Sequence, residues 1–349
     1  MEYVHRVVDA LYNMLPFRMP PEGAILLGRA YSEDEEEAFV QDFASRVLFT
    51  YRKDFPMALP GEGSAVTSDA GWGCSIRVAQ MQLAECLVHA RVSALPVGSV
   101  RAGQAQAVAA AKSAVVELFQ DTAQAPFSIH RFVEMGARRL GKTTTTQWFG
   151  PTSAAQAAAM IAADAVVPQA SGGLPRILCF EDGVIYEDEV RDAVGGGGCV
   201  FFVCKKLGLD YFNVERYKQS IYKTFMVPCF RGLASGESTT SAYFFVATSE
   251  DSLYFLDPHI AVQSAHLGAT GGKFFQDKIL RIPWSRLNAS MTLAFLVTSA
   301  TEFEDLMTKL RDIDAELFES MPSRVRFRDR TAVLTTADGA EADELLLIN

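Results

Sequence analysis

Apolar residues in the first half of the chain recur at helical spacing, and the clearest stripe begins at Cys74. After Cys74 it continues from Ile76 at steps of three and four residues through Ala79, Leu83, Leu87 and Ala90. This spacing places the apolar side chains on one buried face of a helix. Alanine-rich stretches at 101–120 and from Pro151 to about Val167 predict two more helices, the second with proline at its first position.

Other predicted helices have recognisable starts or a clear alternation of polar and apolar positions. Ser32 and Glu35 have the spacing of a capping box, so the acidic stretch there is interpreted as a helix start rather than a binding patch. Ser128 opens a short helix, and the sequences at 187–194 and 301–314 predict two more.

The second half has the short apolar runs of β-strands, separated by turn residues. Strands are predicted at 176–180 and 184–186 around an Asp182-Gly183 turn, and at 199–208, 225–230, 243–248, 253–257, 278–284 and 291–297. A helix is predicted at 209–225 and a loop at 232–241. Together these elements predict an α+β fold in which a helical front half packs on a mainly antiparallel β-sheet.

Cys74 has the position of a nucleophile, because the loop sequence Gly71-Trp72-Gly73 turns there into the helix. Free N–H groups and the positive end of the helix dipole favour the thiolate, which is the reactive form of cysteine. A cysteine at a helix start is more often structural. A catalytic role therefore needs a base from elsewhere in the chain.

Asp257 and His259 supply the candidate base and the acid that orients it. They are separated only by Pro258 and follow an apolar, strand-like run. Proline fixes its own φ and restricts the preceding residue, which limits the directions in which the two side chains can point. A nucleophile on a helix that faces a base on a sheet is the arrangement of papain-like cysteine peptidases, an analogy of architecture.

The composition is that of a folded globular protein and argues against several classes. In 349 residues, 42 acidic side chains outnumber 32 Lys and Arg, so the formal net charge of −10 disfavours a nucleic-acid partner. No apolar run approaches the about 20 residues that span a bilayer. The N-terminus also lacks the layout of a signal peptide, and we therefore expect a cytoplasmic protein.

The six cysteines have neither the density of a secreted disulfide framework nor a C-x-x-C metal spacing. We expect reduced thiols, no metal and no organic cofactor. Cys179, Cys199 and Cys204 fall in apolar strand-like runs, where cysteine is most often a small buried hydrophobic residue.

With these residues, the chain resembles the autophagins, the cysteine peptidases that process the ubiquitin-like modifier of autophagy. The similar motifs occur in the family's order over most of the chain: ILLGRAYS, FTYRKDFP, TSDAGWGC, FSIH, QWFGP, KKLGLD, YFLDPH and MTLAFLV. Each motif is modest alone, but their common order distinguishes the resemblance from chance. The resemblance implies a papain-like peptidase fold with Cys74 as nucleophile, His259 as base and Asp257 as the orienting acid.

The resemblance also implies roles for residues around this triad. Tyr51, in the TYRK motif, would form the oxyanion hole with the N–H of the nucleophile, a position that suits a phenol donor. Trp148 would line the channel for a substrate tail that ends in glycine, and Trp72 and Gly73 complete the predicted substrate site. Simple packing is the alternative interpretation for Tyr51, Trp72 and Trp148.

The implied reaction is cleavage after the C-terminal glycine of the modifier, which matures the precursor and releases the modifier from phosphatidylethanolamine. The implied partner is this modifier in its precursor and lipid-conjugated forms, with membrane contact only through the lipidated substrate. Two alternatives remain. One is a peptidase of the ubiquitin-fold modifier, whose members share the Gly-Trp-Gly-Cys and Asp-Pro-His elements, and the other is a catalytically idle modifier-binding homologue.

Two departures from the family pattern limit what carries over. Residues 235–238, with the sequence Ser-Gly-Glu-Ser, stand where a loop covering the site usually has a Gly-Gly-Lys-Pro-type sequence. Val78 replaces a cysteine that is frequent in the family. Gating by a proline-bearing lid and redox control by a thiol beside the nucleophile are therefore not expected from the resemblance.

We predict three regions along the chain. An N-terminal arm at 1–24 precedes a papain-like peptidase domain at 25–335, which carries a small α/β insertion at about 168–198. An acidic tail at 336–349 follows. The tail contains the aliphatic run 345–348 but no aromatic residue, so it is a degenerate form of the family's aromatic-x-x-aliphatic modifier-binding motif.

Overall fold

The computed structural model describes residues 16–94, 104–164, 173–268, 272 and 274–324. Its helices are α1 (Glu36–Ala44), α2 (Cys74–Ser93), α3 (Gln104–Glu117), α4 (Ile129–Arg139), α5 (Pro151–Asp164), α6 (Glu187–Gly195), α7 (Val214–Thr224) and α8 (Ala300–Asp314). Its strands are β1 (Ala24–Leu26), β2 (Arg29–Tyr31), β3 (Tyr51–Lys53), β4 (Arg176–Phe180), β5 (Ile185–Tyr186), β6 (Cys199–Tyr211), β7 (Phe230–Ser235), β8 (Tyr243–Thr248), β9 (Ser252–Leu256), β10 (Val262–Ser264), β11 (Leu280–Pro283), β12 (Asn288–Val297) and β13 (Ser320–Met321).

Nine of these strands form one sheet. Its order is β11-β9-β8-β7-β12-β6-β4, with β1 paired to β8 and β2 paired to β1. Neighbours are antiparallel except β4 and β6. Two small parallel pairs, β3 with β10 and β5 with β13, lie beside it. The predicted α+β fold with a mainly antiparallel sheet is confirmed.

Helices cover both faces of the sheet. On one face α2 packs against β7, β8 and β12, with α3, α4 and α5 around it. Leu296 of β12 lines a cavity on this face together with Leu87 of α2. Its neighbour Phe295 points to the other face, because side chains alternate along a strand. There Phe201 stacks on Phe295 with ring centroids 5.2 Å apart, and Phe303 of α8 packs against Phe201.

The helix α2 is buried on every side along residues 74–88, whereas the sequence predicted a single buried face. Buried polar side chains need hydrogen-bond partners, and those of α2 find them in the sheet. Gln82 Nε2 donates to the main-chain oxygens of Gly232 in β7 and Thr292 in β12, both at 3.0 Å. These bonds fix the height and rotation of the helix that begins with Cys74.

One strand lies later in the chain than predicted. The sequence predicted a strand at 225–230 and a loop at 232–241, but the strand is β7, which begins at Phe230. Pro228 has no N–H group for a ladder, and the residues before it turn off the end of α7. The strand includes Gly232. Glycine is needed at this position because a Cβ would lie 2.5 Å from the ring of Phe244 in β8.

Two further predictions need correction. The helix predicted at 209–225 is shorter, because β6 continues to Tyr211 and the side chain of Asn213 caps the helix by accepting from the main-chain N–H of Arg216. The two strands around the Asp182-Gly183 turn exist but do not pair with each other. Instead β4 pairs with β6 and β5 pairs with β13, both in parallel.

The structure describes the predicted arm at 1–24 only from residue 16 onwards. In this part, the ring of Phe17 stacks on that of Phe39 in α1, with ring centroids 5.3 Å apart. The predicted tail at 336–349 lies outside the described residues. The bounds of the arm, the insertion and the tail stay predictions. Within the described part of the chain, none of the helices has the length and apolar character to cross a membrane.

Candidate active site

Cys74 is the first residue of α2, and Asp69 holds the loop before it. The main-chain oxygen of Asp69 accepts hydrogen bonds from the N–H groups of Trp72 at 3.2 Å and Gly73 at 2.9 Å. A Cβ on Gly73 would lie 2.7 Å from the Cβ of Asp69, so glycine is needed at that position. The indole of Trp72 donates to the main-chain oxygen of Ser68 at 3.1 Å, which anchors the loop further.

Asp257 and His259 form a hydrogen-bonded pair just after β9. Asp257 caps the short turn at 258–260, where its Oδ1 accepts from the main-chain N–H of His259 at 2.8 Å. The same oxygen lies 2.6 Å from Nδ1 of the His259 ring. One carboxylate thus orients both the backbone and the imidazole, and the ring meets the Cys74 thiol with its other nitrogen.

Main-chain pairing brings Tyr51 to the same place. The strand β10 follows the His259 turn and pairs in parallel with β3, with Val262 opposite Tyr51. Gln263 Nε2 reinforces this pairing by donating to Thr50 Oγ1 at 2.9 Å. The ring of Tyr51 meets that of His259 edge to face, with centroids 5.2 Å apart. The four residues predicted to be catalytic therefore meet at one site.

Cys74 and His259 stabilise each other's charged forms. Burial alone would raise the pKa of the Cys74 thiol, but the interaction with the His259 ring and its charge outweighs burial and lowers this pKa. Burial alone would lower the pKa of His259, but Asp257 and Cys74 raise it to about 9. Each group therefore favours the charged form of the other, the thiolate of Cys74 and the imidazolium of His259.

Tyr51 keeps its proton beside this pair. Burial, followed by the charge of Cys74, raises the pKa of the phenol above its usual range. The side chain is buried, and its ring lies beside His259. A protonated phenol next to the nucleophile is a donor for negative charge, as an oxyanion hole requires.

Trp148 also lies next to Cys74, at the end of the loop that leads into α5. Its main-chain oxygen accepts a hydrogen bond from Lys142 Nζ at 2.9 Å. Its indole Nε1 is buried and has no hydrogen-bond partner within the described chain. The side chain is one of the groups that lower the pKa of the Cys74 thiol.

The assembled groups are suited to acyl transfer through a covalent sulfur intermediate. The thiolate of Cys74 is a nucleophile, His259 can exchange a proton with the leaving group, and Tyr51 can donate to an oxyanion. In the described ranges of the chain, no three His, Cys, Asp or Glu side chains converge in a way that could hold a metal ion.

Residues 36–309 match the Peptidase C54 catalytic domain, and this match covers well over half of the chain. The chain belongs to the peptidase C54 family. These are the autophagins, so the resemblance inferred from the ordered motifs is confirmed.

Named members of the family are similar over most of the chain. The probable cysteine protease atg4 of Schizosaccharomyces pombe is 29% identical over 342 residues, which cover 94% of this chain and 96% of that protein. Cysteine protease ATG4B of Gallus gallus is 29% identical over 364 residues, with coverage of 92% and 89%. Cysteine protease ATG4 of Candida albicans is 27% identical and covers 81% of this chain, which spans 60% of that relative's length.

A buried network that the sequence analysis missed supports the nucleophile loop of this family member. Asp69 Oδ1 accepts from the main-chain N–H of Arg52 at 2.6 Å, and Asp69 Oδ2 pairs with Arg77 Nε at 2.6 Å. Arg77 also pairs with Asp121 at 2.8 Å. Burial alone would lower the pKa of Arg77, but the two carboxylates raise it, so the guanidinium stays charged. A sequence signal existed, since Arg77 interrupts the apolar start of α2.

Gln276 was also missed, and it supports Asp257. Its side chain is almost fully buried, and its Oε1 accepts from the main-chain N–H of Asp257 at 2.9 Å. Its Nε2 donates to the main-chain oxygens of Phe255 at 3.0 Å and Lys278 at 2.6 Å. A glutamine in a loop belongs to none of the motifs, so no local pattern indicated this contact.

The loop that departs from the family pattern is held at its beginning. Ser235 is the last residue of β7, and Gly236 O accepts from the main-chain N–H of Asn288 at 2.7 Å. Glu237 forms an ion pair with Arg286. An ion pair and strand contacts therefore fix the beginning of this loop.

Replacing Arg77 with alanine leaves the carboxylates of Asp69 and Asp121 buried without their cation. We expect the free energy of unfolding, measured by urea denaturation, to fall by about 3–5 kcal/mol. Arg131→Ala is the matched control, because its pair with Glu134 is solvent-exposed, with 47% of the Arg131 side chain accessible. That variant should lose less than about 1 kcal/mol. Equal losses in both variants would contradict the account of the network.

Proposed function

We propose that this protein is a cysteine endopeptidase that cleaves after the C-terminal glycine of the autophagy ubiquitin-like modifier. It would mature the modifier's precursor and release the modifier from phosphatidylethanolamine. The observation that carries the proposal is the convergence of Cys74, His259 and Tyr51 at one site, with Asp257 Oδ1 bonded to Nδ1 of the His259 ring at 2.6 Å. The family membership and the names of its members support the same reading.

The proposed reaction begins with attack by the Cys74 thiolate on the carbonyl carbon of the glycine. The oxygen becomes an oxyanion, which accepts hydrogen bonds from the Tyr51 phenol and from the main-chain N–H of Cys74. When the C–N bond breaks, the imidazolium of His259 gives its proton to the leaving amine, and a thioester remains. Neutral His259 then takes a proton from water, the hydroxide equivalent attacks the thioester, and the thiolate returns.

Asp257 is proposed to keep His259 productive through both steps. Its Oδ1 holds Nδ1 at 2.6 Å, so the other ring nitrogen faces the sulfur and carries the proton that is transferred. The carboxylate also stabilises the positive ring, which is the role of the acid in such triads.

A protein substrate is supported by exposed apolar side chains at the end of the sheet where the catalytic turn lies. Asn288, the first residue of β12, pairs with Tyr211, the last residue of β6. The C-terminus of β6 therefore lies at the same end of the sheet as the catalytic turn. Leu209 is 85% exposed there, and Ile260 and Val262 beside the catalytic turn are 44% and 47% exposed. Large apolar side chains that remain in water around a site are typical of protein-binding surfaces.

Cys74→Ala removes the proposed nucleophile, so we expect cleavage of a glycine-terminated modifier precursor to fall to background. Cleavage products would be separated by gel for a panel of the autophagy modifier precursor, its lipid-linked form and the ubiquitin-fold modifier precursor. Cys86→Ala, the same substitution further along α2, is the control and should cleave as the unmodified protein does.

The panel separates the alternatives. Preferential cleavage of the ubiquitin-fold modifier would replace the proposed substrate. An unmodified protein that binds the autophagy modifier but cleaves nothing, and that a thiol-reactive glycine-tailed probe fails to label, would be an idle homologue.

Tyr51→Phe keeps the aromatic ring beside His259 but removes the phenol donor. We expect kcat for precursor cleavage to fall by about 10²-fold with little change in KM, because the donor acts on charge that develops in the transition state. Steady-state kinetics would measure both constants. Tyr217→Phe in α7 removes a hydroxyl outside the site and should leave them unchanged. A Tyr51→Phe variant with normal kcat would assign Tyr51 to packing alone.

A further inference from the structure

Asp257 holds the ring of His259 by one hydrogen bond, between Nδ1 and Oδ1 at 2.6 Å. A single bond at one corner fixes that nitrogen but leaves the plane of the imidazole to be set by other contacts. Proton exchange requires the other ring nitrogen to stay within hydrogen-bond reach of the reacting atom. The groups that pack against the ring therefore matter for the chemistry.

Two tyrosine rings contact this imidazole, and they come from different sheets. Tyr51 lies in β3, and its ring centroid is 5.2 Å from that of His259, with the two planes at 86°. Tyr243 lies in β8 of the large sheet, at a centroid distance of 5.7 Å and an angle of 77°. Both are edge-to-face pairs, which are favourable at centroid distances of about 4.5–7 Å. Tyr51 belongs to one of the ordered motifs, whereas Tyr243 lies outside them.

Strand pairing places Tyr243 beside the catalytic turn. It is the first residue of β8, and Ser235 of β7 lies opposite it on one side. On the other side Phe244 lies opposite Leu256 of β9, so the register brings Tyr243 level with Asp257, the next residue after that strand. The main chain of Tyr243 is thus held at a fixed distance from the turn that carries His259.

The ring of Tyr243 packs against two buried aromatic side chains. Its centroid is 4.3 Å from that of Phe255 and 6.2 Å from that of Phe245, and these two rings are 5.5 Å apart. Phe245 and Phe255 belong to the buried core. Close-packed core side chains interdigitate and leave little space for movement. The ring of Tyr243 therefore connects the imidazole of His259 to the rigid core between β8 and β9.

Tyr243 contacts His259 as a neutral ring. Burial, followed by the charges of Glu237 and Asp257, raises the pKa of its phenol above the usual range. The phenol consequently keeps its proton near neutral pH and places no charge beside the imidazolium. Its effect on His259 is one of shape and contact, which a phenyl ring could supply equally well.

We propose that Tyr243 is a positioning residue whose ring, set against Phe245 and Phe255, holds the imidazole of His259 in the orientation from which it exchanges its proton. The inference rests on the proposed function, in which His259 is the acid and base of peptide cleavage. The aromatic ring of Tyr243 carries this role, and its hydroxyl does not. Tyr51 differs, because its hydroxyl is the proposed donor to the oxyanion.

Tyr243→Leu and Tyr243→Phe together test the proposal by steady-state kinetics of precursor cleavage. Leucine keeps an apolar side chain but removes the ring, so we expect kcat to fall by about 10- to 10²-fold, as small displacements of catalytic groups do. KM should change little, because the ring contacts the base rather than the substrate. Phenylalanine keeps the ring and should retain kcat within about twofold of the unmodified protein.

NMR of the His259 ring gives a readout that needs no substrate. The proton on Nδ1 that is shared with Asp257 should give a downfield resonance in the unmodified protein and in Tyr243→Phe. In Tyr243→Leu the ring can tilt and expose this proton to water, so we expect the resonance to broaden or disappear. Should Tyr243→Leu fail to fold, nuclear Overhauser contacts between the rings of Tyr243 and His259 in the unmodified protein replace this test, and their absence would overturn the proposal.

Tyr217→Leu is the matched control, since it removes another partly buried tyrosine ring, which packs on Phe212 in α7 and β6 territory away from the catalytic turn. It should leave kcat and the Nδ1 resonance unchanged even if the melting temperature falls. Three results would overturn the proposal. They are a Tyr243→Leu variant with normal kcat and an intact Nδ1 resonance, a change in KM alone, which would make Tyr243 a substrate contact, and an equal loss of kcat in Tyr243→Phe, which would assign the role to the hydroxyl.

The test separates failure of this inference from failure of the proposed function. If Cys74→Ala abolishes cleavage and Tyr243→Leu leaves kcat and the His259 resonance unchanged, only the role of Tyr243 is wrong. If Cys74→Ala cleaves normally, the proposed function fails whatever the behaviour of the Tyr243 variants.

Discussion

The attraction between the Cys74 thiolate and the His259 imidazolium is the interaction on which the proposed chemistry depends. Neither charge is favoured by burial alone, since burial raises the pKa of a thiol and lowers that of an imidazole. Each charge is stable because the other is close, and because Asp257 lies on the far side of the ring. A displacement of either partner would therefore weaken the stabilisation of both charged forms.

The scaffold supplies this precision through paired polar groups rather than apolar contacts alone. The nucleophile side is fixed by Asp69 and Arg77 under the loop and by Gln82 between α2 and the sheet. The base side is fixed by Gln276 behind Asp257. The β3–β10 pairing joins the two sides, because it links the Tyr51 segment directly to the residues that follow the catalytic turn. Each hydrogen bond in such a buried network is directional, so it restricts position more sharply than apolar packing does.

Local patterns predicted the helices and most of the longer strands of the sheet but not the short strands β1, β2, β3, β10 and β13. The ordered motifs predicted which side chains meet. The turn at Cys74 could be read because glycine and a helix start leave local signals. The contacts that support the site could not be predicted from the sequence. Arg77 and Gln276 bond to partners that are close to them only in the folded chain. The strand β7 was misplaced for a related reason. Its small residues suggest a loop, but Gly232 is required by a neighbouring ring that the sequence does not identify.

Titration of the His259 ring by NMR tests the central claim most directly. In the unmodified protein the account predicts a pKa of about 9, above the ordinary value of 6.5, because Asp257 and the Cys74 thiolate stabilise the imidazolium. In Cys74→Ala the contribution of the thiolate is lost, so the pKa should fall while the contribution of Asp257 remains. A His259 ring that titrates near 6.5 in the unmodified protein and does not change in Cys74→Ala would contradict the account.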